Sequence, residues 1–157
     1  MRKPGQRGAA MVEAMLVFIP MLLMTFLTAD LAMVLFLRTT FQEAAREGAR
    51  YAITAQNTTG PCQDDSIKTV VKNYSLGYLS TTTGAAAVHV QFVSPDTGGQ
   101  GTNAPNQIVN VKVENYKYTP MAPFLGETFP VYVSAQASDV MEPYTGAAPC
   151  LTNSTDK

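Results

Sequence analysis

One apolar stretch constrains this chain before anything else. Arg7 to Leu37 reads RGAAMVEAMLVFIPMLLMTFLTADLAMVLFL and carries two acids, Glu13 and Asp30. The 24 residues between Glu13 and Arg38 are apolar apart from Thr25, Thr28 and Asp30. About 20 such residues in a helix cross the hydrocarbon core of a bilayer, so the length predicts one membrane span. Pro20, well inside it, removes a helical hydrogen bond and presses on the carbonyl of Leu16, which predicts a kink or a melted turn. Met15, Met21, Met24 and Met33 read as apolar filler rather than copper or haem ligands.

Both acids need an explanation, because a lone carboxylate in a membrane segment is expensive and points to a partner. Glu13 lies five residues past Gly8, at the lip of the apolar helix. If the chain is cut after Gly8, Ala9 gains an α-ammonium group, and Glu13 can pair with that amine on a neighbouring subunit in lipid. In the alternative the chain stays uncut and Glu13 sits at headgroup level with water in reach. Asp30 also has two readings. It lies at the outer membrane interface, or it is buried among packed helices as a contact to a partner.

The basic leader, Gly8, the small Ala9, Glu13 at the fifth mature position and a helix with Pro20 resemble the class III signal of type IV pilins. The wording RGAAMVEAMLVFIPMLL, followed after the span by FQEAAREGARYA, is similar to the TadE-like pseudopilins of the tight-adherence (Tad, or Flp) pilus system. The similarity covers roughly residues 7–53. It implies a prepilin peptidase cutting between Gly8 and Ala9, with Glu13 as the charge that registers subunits in assembly. Implied partners are other pilin subunits, the peptidase, membrane lipid and the inner-membrane pilus assembly platform. The implied role is a minor pilin or pseudopilin that primes or tips a pilus, not an enzyme. Two rivals remain: a major pilin or other filament-forming subunit, and an unprocessed anchored binding domain such as an adhesin or sensor module.

The expected organisation is a leader at 1–8, a transmembrane helix at 9–37, an amphipathic continuation at 38–56 and an extracytoplasmic domain at 57–157. About 120 residues beyond the anchor suffice for one modest core. Bases cluster before the span, in Arg2, Lys3 and Arg7, and the positive-inside rule puts that end in the cytoplasm. This predicts a bacterial inner-membrane protein of single pass, its C-terminal domain facing outward or carried into an extracellular pilus. Removing the leader leaves 8 bases against 12 acids, a mildly acidic chain with no nucleic-acid footprint. Cys62 and Cys150 both follow the anchor, each beside a proline. An even pair in an extracytoplasmic domain predicts a disulfide, against free thiols or a metal site for which CxxC spacing is lacking.

Past Leu37 the helical pattern continues. Val34, Leu37, Phe41, Ala44, Ala45, Gly48 and Ala52 recur at three- and four-residue steps and form one stripe. Its small members let another backbone approach closely, either the chain's own sheet or a neighbour's helix. Turn chemistry from Asn57 to Pro61 predicts an end near Gln56. Asp64 and Asp65 open a second helix, with acids where the dipole favours them, burying Ile67, Val70, Val71 and Tyr74 and ending by Gly77. Three strands follow from two-residue alternation: Val88, Val90, Phe92; then Val109, Val111, Val113; then Phe129, Val131, Val133, Ala135, Ala137. In the second, the phase slips around Asn115, predicting a bulge or the strand's end.

The fold class is therefore α+β and pilin-like: a long N-terminal helix, transmembrane then amphipathic, with a second helix and a small antiparallel sheet of about three strands. The loop Ser94–Asn106 is glycine-rich but lacks the lysine and following helix of a phosphate loop, and reads as a flexible surface hairpin. Thr119–Gly126 is apolar with two prolines, and either covers the core or stays exposed. From Pro143 the tail reads as irregular, pinned only by Cys150. His89 is the single histidine, so neither a histidine metal cluster nor a triad has its parts. No catalytic residues, metal or cofactor are expected.

Overall fold

The computed structural model describes residues 6–56, 62–122, 129–144 and 150–151. The start of the basic leader, the turn expected at 57–61, the 119–126 stretch from Pro123 onward and most of the tail lie outside the described residues. The chain falls into two compact units, Met1–Leu35 with Tyr118–Val131, and Phe36–Lys117 with Tyr132–Lys157.

Helix α1 runs from Gln6 to Ile53 and supplies residues to both. It is long and apolar enough to cross a membrane, with a mean hydropathy of 2.2 over its most apolar window. The helix is continuous through Pro20, so of the two expected outcomes, a kink or a melted turn, the turn does not melt. Thr25 and Thr28 return their hydroxyls to the carbonyls of Met21 and Thr25, at 2.9 and 2.8 Å. These two hydroxyls in the apolar run are thus satisfied within the helix. α1 stops three residues before the expected Gln56, where Ala55 takes a left-handed φ of 52° and its N–H returns to Ala52 O.

In the second unit, α2 (Gln63–Tyr74) opens with Asp64 and Asp65 in its first turn. Ile67 and Val71 are fully buried, as is Ser75, whereas Tyr74 is exposed. Positions 67, 71 and 75 repeat at four residues, and this row carries the burial expected of Tyr74. A 3-10 turn at Tyr78–Ser80 and a short helix α3 (Thr82–Ala86) follow, capped by Thr81 Oγ1 accepting from Gly84 N–H. Strands β1 (Val88–Val93), β2 (Ile108–Tyr118) and β3 (Val131–Val140) make an antiparallel sheet in that order. The register pairs Val88 with Val113, Val90 with Val111 and Phe92 with Val109. All six side chains are buried, so each cross-strand pair stacks apolar on apolar.

The phase slip in β2 is real. Asn115 has φ 57°, and after it the inward parity moves to Tyr116 and Tyr118. Tyr116 then meets Phe41 of α1 edge to face, with centroids 4.9 Å apart. Strand β3 starts at Val131 rather than Phe129. Pro130 has no N–H for the ladder, and Phe129 before it is exposed. The glycine-rich loop folds back on itself through Gly98 N–H to Ser94 O and Gly101 N–H to Phe92 O.

Candidate functional site

The front of α1 presents almost nothing to the rest of the protein. Gly8, Ala9 and Glu13 are exposed, and so are the side chains from Met11 to Met21. A Cβ built on Gly8 would meet no atom within 4 Å. Packing therefore does not require glycine there, although glycine in a helix costs about 1 kcal/mol against alanine. Glu13 has no ion-pair or hydrogen-bond partner among the described residues. Pro20 lies farther along the same exposed surface. A helix with this surface needs lipid or other chains around it, and its one bare carboxylate can accept a cation from either.

Asp30 is the opposite case. It is buried, and its carboxylate is enclosed by the Tyr118–Ala122 segment of its own unit. Oδ1 accepts the Tyr118 hydroxyl at 3.0 Å and the Met121 N–H at 2.8 Å, and Oδ2 accepts the Ala122 N–H at 2.9 Å. The contacts come from the same chain, where the second expected reading looked to a partner. The shift of phase at Asn115 turns Tyr118 inward, which lets its hydroxyl face the helix.

The small-residue stripe is occupied within the second unit. Phe41, Ala44, Ala45, Ala49 and Ala52 are buried, and Gly48 shows why. A Cβ at Gly48 would lie 2.5 Å from Val71 Cγ2 and 3.3 Å from Val111 Cγ1. Helix α2 and strand β2 thus approach this face more closely than any side chain permits. The face is covered by the chain's own domain, so a neighbouring helix would have to use another.

Cys62 and Cys150 are bonded. Around the bond lies a polar clasp that the sequence pattern did not suggest. Gln63 is fully buried; its N–H donates to Cys150 O at 2.9 Å, and its Nε2 to Ala52 O at 2.9 Å. Gln63 Oε1 accepts from Asn103 Nδ2 at 2.6 Å, and Asn103 O accepts from the Tyr144 hydroxyl at 2.9 Å. The tail is therefore held by Tyr144 as well as by Cys150. Only one signal was available in sequence: an amide residue directly after a cysteine, at a helix start lacking a side-chain cap.

A shallow cavity of about 340 Å³ is lined by Arg38, Gln42, Lys112, Glu114 and Ser134. Its charge is partly spent internally, since Lys112 Nζ lies 3.6 Å from Glu114 Oε1. Among the described residues, no group of three His, Cys, Asp or Glu side chains could hold a metal ion.

Residues 8–50 match the family model described as TadE-like protein. The match begins at the glycine after the basic leader and ends inside α1, so it contains Glu13, Asp30 and most of the packing stripe and none of the sheet. No curated protein and no solved structure matches the chain.

Proposed function

We propose that this chain, whose TadE-like anchor helix associates it with the tight-adherence (Tad) pilus system, is a minor pilin or pseudopilin. In this reading α1 inserts in the inner membrane with the basic end cytoplasmic. A prepilin peptidase cuts between Gly8 and Ala9, and the new Ala9 amine of one subunit pairs with Glu13 of another. The protein then acts structurally, in priming or tipping the pilus with other pilin subunits and the assembly platform, and performs no catalysis.

One observation carries the reading. Among the described residues of the fold, Gly8 and Glu13 of the family-matched helix answer to nothing: the glycine has no close neighbour and the carboxylate no partner. A costly helical glycine and a bare acid at the start of an apolar span are explained if the peptidase reads one and a neighbouring subunit pairs with the other. The supporting experiment is an intact mass and N-terminal sequence of protein recovered from native membranes. A chain beginning at Ala9 is expected, and one beginning at Met1 removes Glu13's proposed partner and leaves a plain anchored domain. Glu13→Ala should insert normally yet co-purify less with pilin partners; undiminished co-purification would count against its registering role.

A further inference from the structure

Asp30 lies within the apolar run, eight residues before Arg38, and two consecutive backbone N–H groups, those of Met121 and Ala122, converge on its carboxylate. The chain at 118–122 is thereby fixed against α1 at the depth of Asp30. The side chains around this tether do not turn inward. Met121 is 75% exposed and Phe129 62%, while on the helix beside Asp30 Leu31 is 61% exposed and Leu35 54%. All belong to one compact unit, in which Glu13 and Asp30 are the charged residues whose side chains are described.

We infer that Met121, tied to the anchor helix through Asp30, and Phe129, exposed in the same compact unit, enter the outer leaflet of the bilayer that α1 crosses and form a second membrane contact beside the span. Lipid is the occupant because Met121 is held at Asp30 of the apolar helix, and Leu31 and Leu35, within two turns of that tether, are exposed like the rest of the span. Amphipathic elements that lie in the interface bury apolar side chains to just this boundary and keep their polar groups satisfied. The Asp30 cap does the latter. It uses the two N–H groups that would otherwise enter lipid unpaired, and those N–H groups with the tyrosine hydroxyl let a carboxylate stand in an apolar run. The inference rests on reading α1 as a membrane span.

The chain contains no tryptophan, so single-tryptophan reporters are available in the full-length protein. Leu16→Trp marks the span, Met121→Trp and Phe129→Trp the proposed contact, and Leu76→Trp, exposed in the second unit, the aqueous control. Each is reconstituted in phosphatidylcholine vesicles with brominated acyl chains and titrated with iodide. The position 16, 121 and 129 reporters are expected to be quenched several-fold more by the brominated lipid than the position 76 reporter, with iodide giving the reverse order. Iodide quenching at 121 and 129 without lipid quenching overturns the inference. Protection from both quenchers also overturns it, since a second copy or another protein then covers the surface. Failure of the position 16 reporter to be quenched by lipid would instead sink the span itself. Adding Asp30→Ala to Met121→Trp should lower lipid quenching at least twofold, with Tyr118→Phe a milder second variant that keeps both backbone contacts. Lipid quenching unchanged in Asp30→Ala would remove the tether from the proposal.

Discussion

The two ends of α1, an apolar front with one acid and a rear that carries five charges, have opposite surroundings. From Gly8 to Met21 every side chain is exposed, a glycine has open space and an acid is bare. From Leu37 to Ala52 one row of side chains is wholly buried and a glycine is required by its neighbours. The contrast teaches that a glycine or an acid in a helix carries no fixed meaning. Gly48 is a steric necessity and Gly8 is not; Asp30 is an internal acceptor and Glu13 is a free one.

The strongest way to separate the ends is to loosen the domain that packs on one of them. Cys150→Ser opens a bond joining residues 88 apart in sequence, which the chain-entropy model values at about 4–5 kcal/mol. For a domain of this size that is a fall of about 20 °C in the melting midpoint. Circular dichroism in micelles should show the domain melting early while the Gly8–Met21 turns remain helical; a concerted loss of all helix would break the contrast. Next comes a matched pair, Gly48→Leu and Gly8→Leu. Overpacking against Val71 and Val111 should cost the first about 3 kcal/mol in denaturant unfolding, and the second should cost nothing, because no atom stands near Gly8 and leucine is the better helix former.

A smaller effect concerns Tyr116, packed on Phe41. Burial, and to a lesser degree the charge of Tyr78, holds its phenol above the ordinary tyrosine range. A group whose proton is held more tightly when folded gives stability that is complete below the unfolded value of about 10 and is lost as pH rises through the folded value. The domain should therefore weaken as pH rises above about 10. Tyr116→Phe should flatten that slope in paired denaturant titrations, and an equal slope in both proteins would show that the packed end does not depend on this phenol.

Much of the architecture was legible because it is local. Alternation in Val88–Phe92 and Val109–Val113 marks strands by a period of two, and the shift of parity at Asn115 announces the bulge that φ 57° realises. The apolar run of α1 and its small-residue stripe are patterns of three and four. Where local reading slipped, a neighbour overruled it: Pro130 delays β3 to Val131, and Ser75 takes the burial expected of Tyr74. The Gln63–Asn103–Tyr144 clasp escaped notice because its members stand about 40 residues apart.

Sequence alone thus determined that a long apolar helix carries two acids and is followed by a small α+β domain, since periodicity, length and charge are written residue by residue. Only the tertiary structure decided which acid is free. The donors that enclose Asp30 come from 88, 91 and 92 residues away, a separation at which no helical or strand period survives. Among the described residues no such segment returns to Glu13, which is why the proposal gives that carboxylate to a neighbouring subunit.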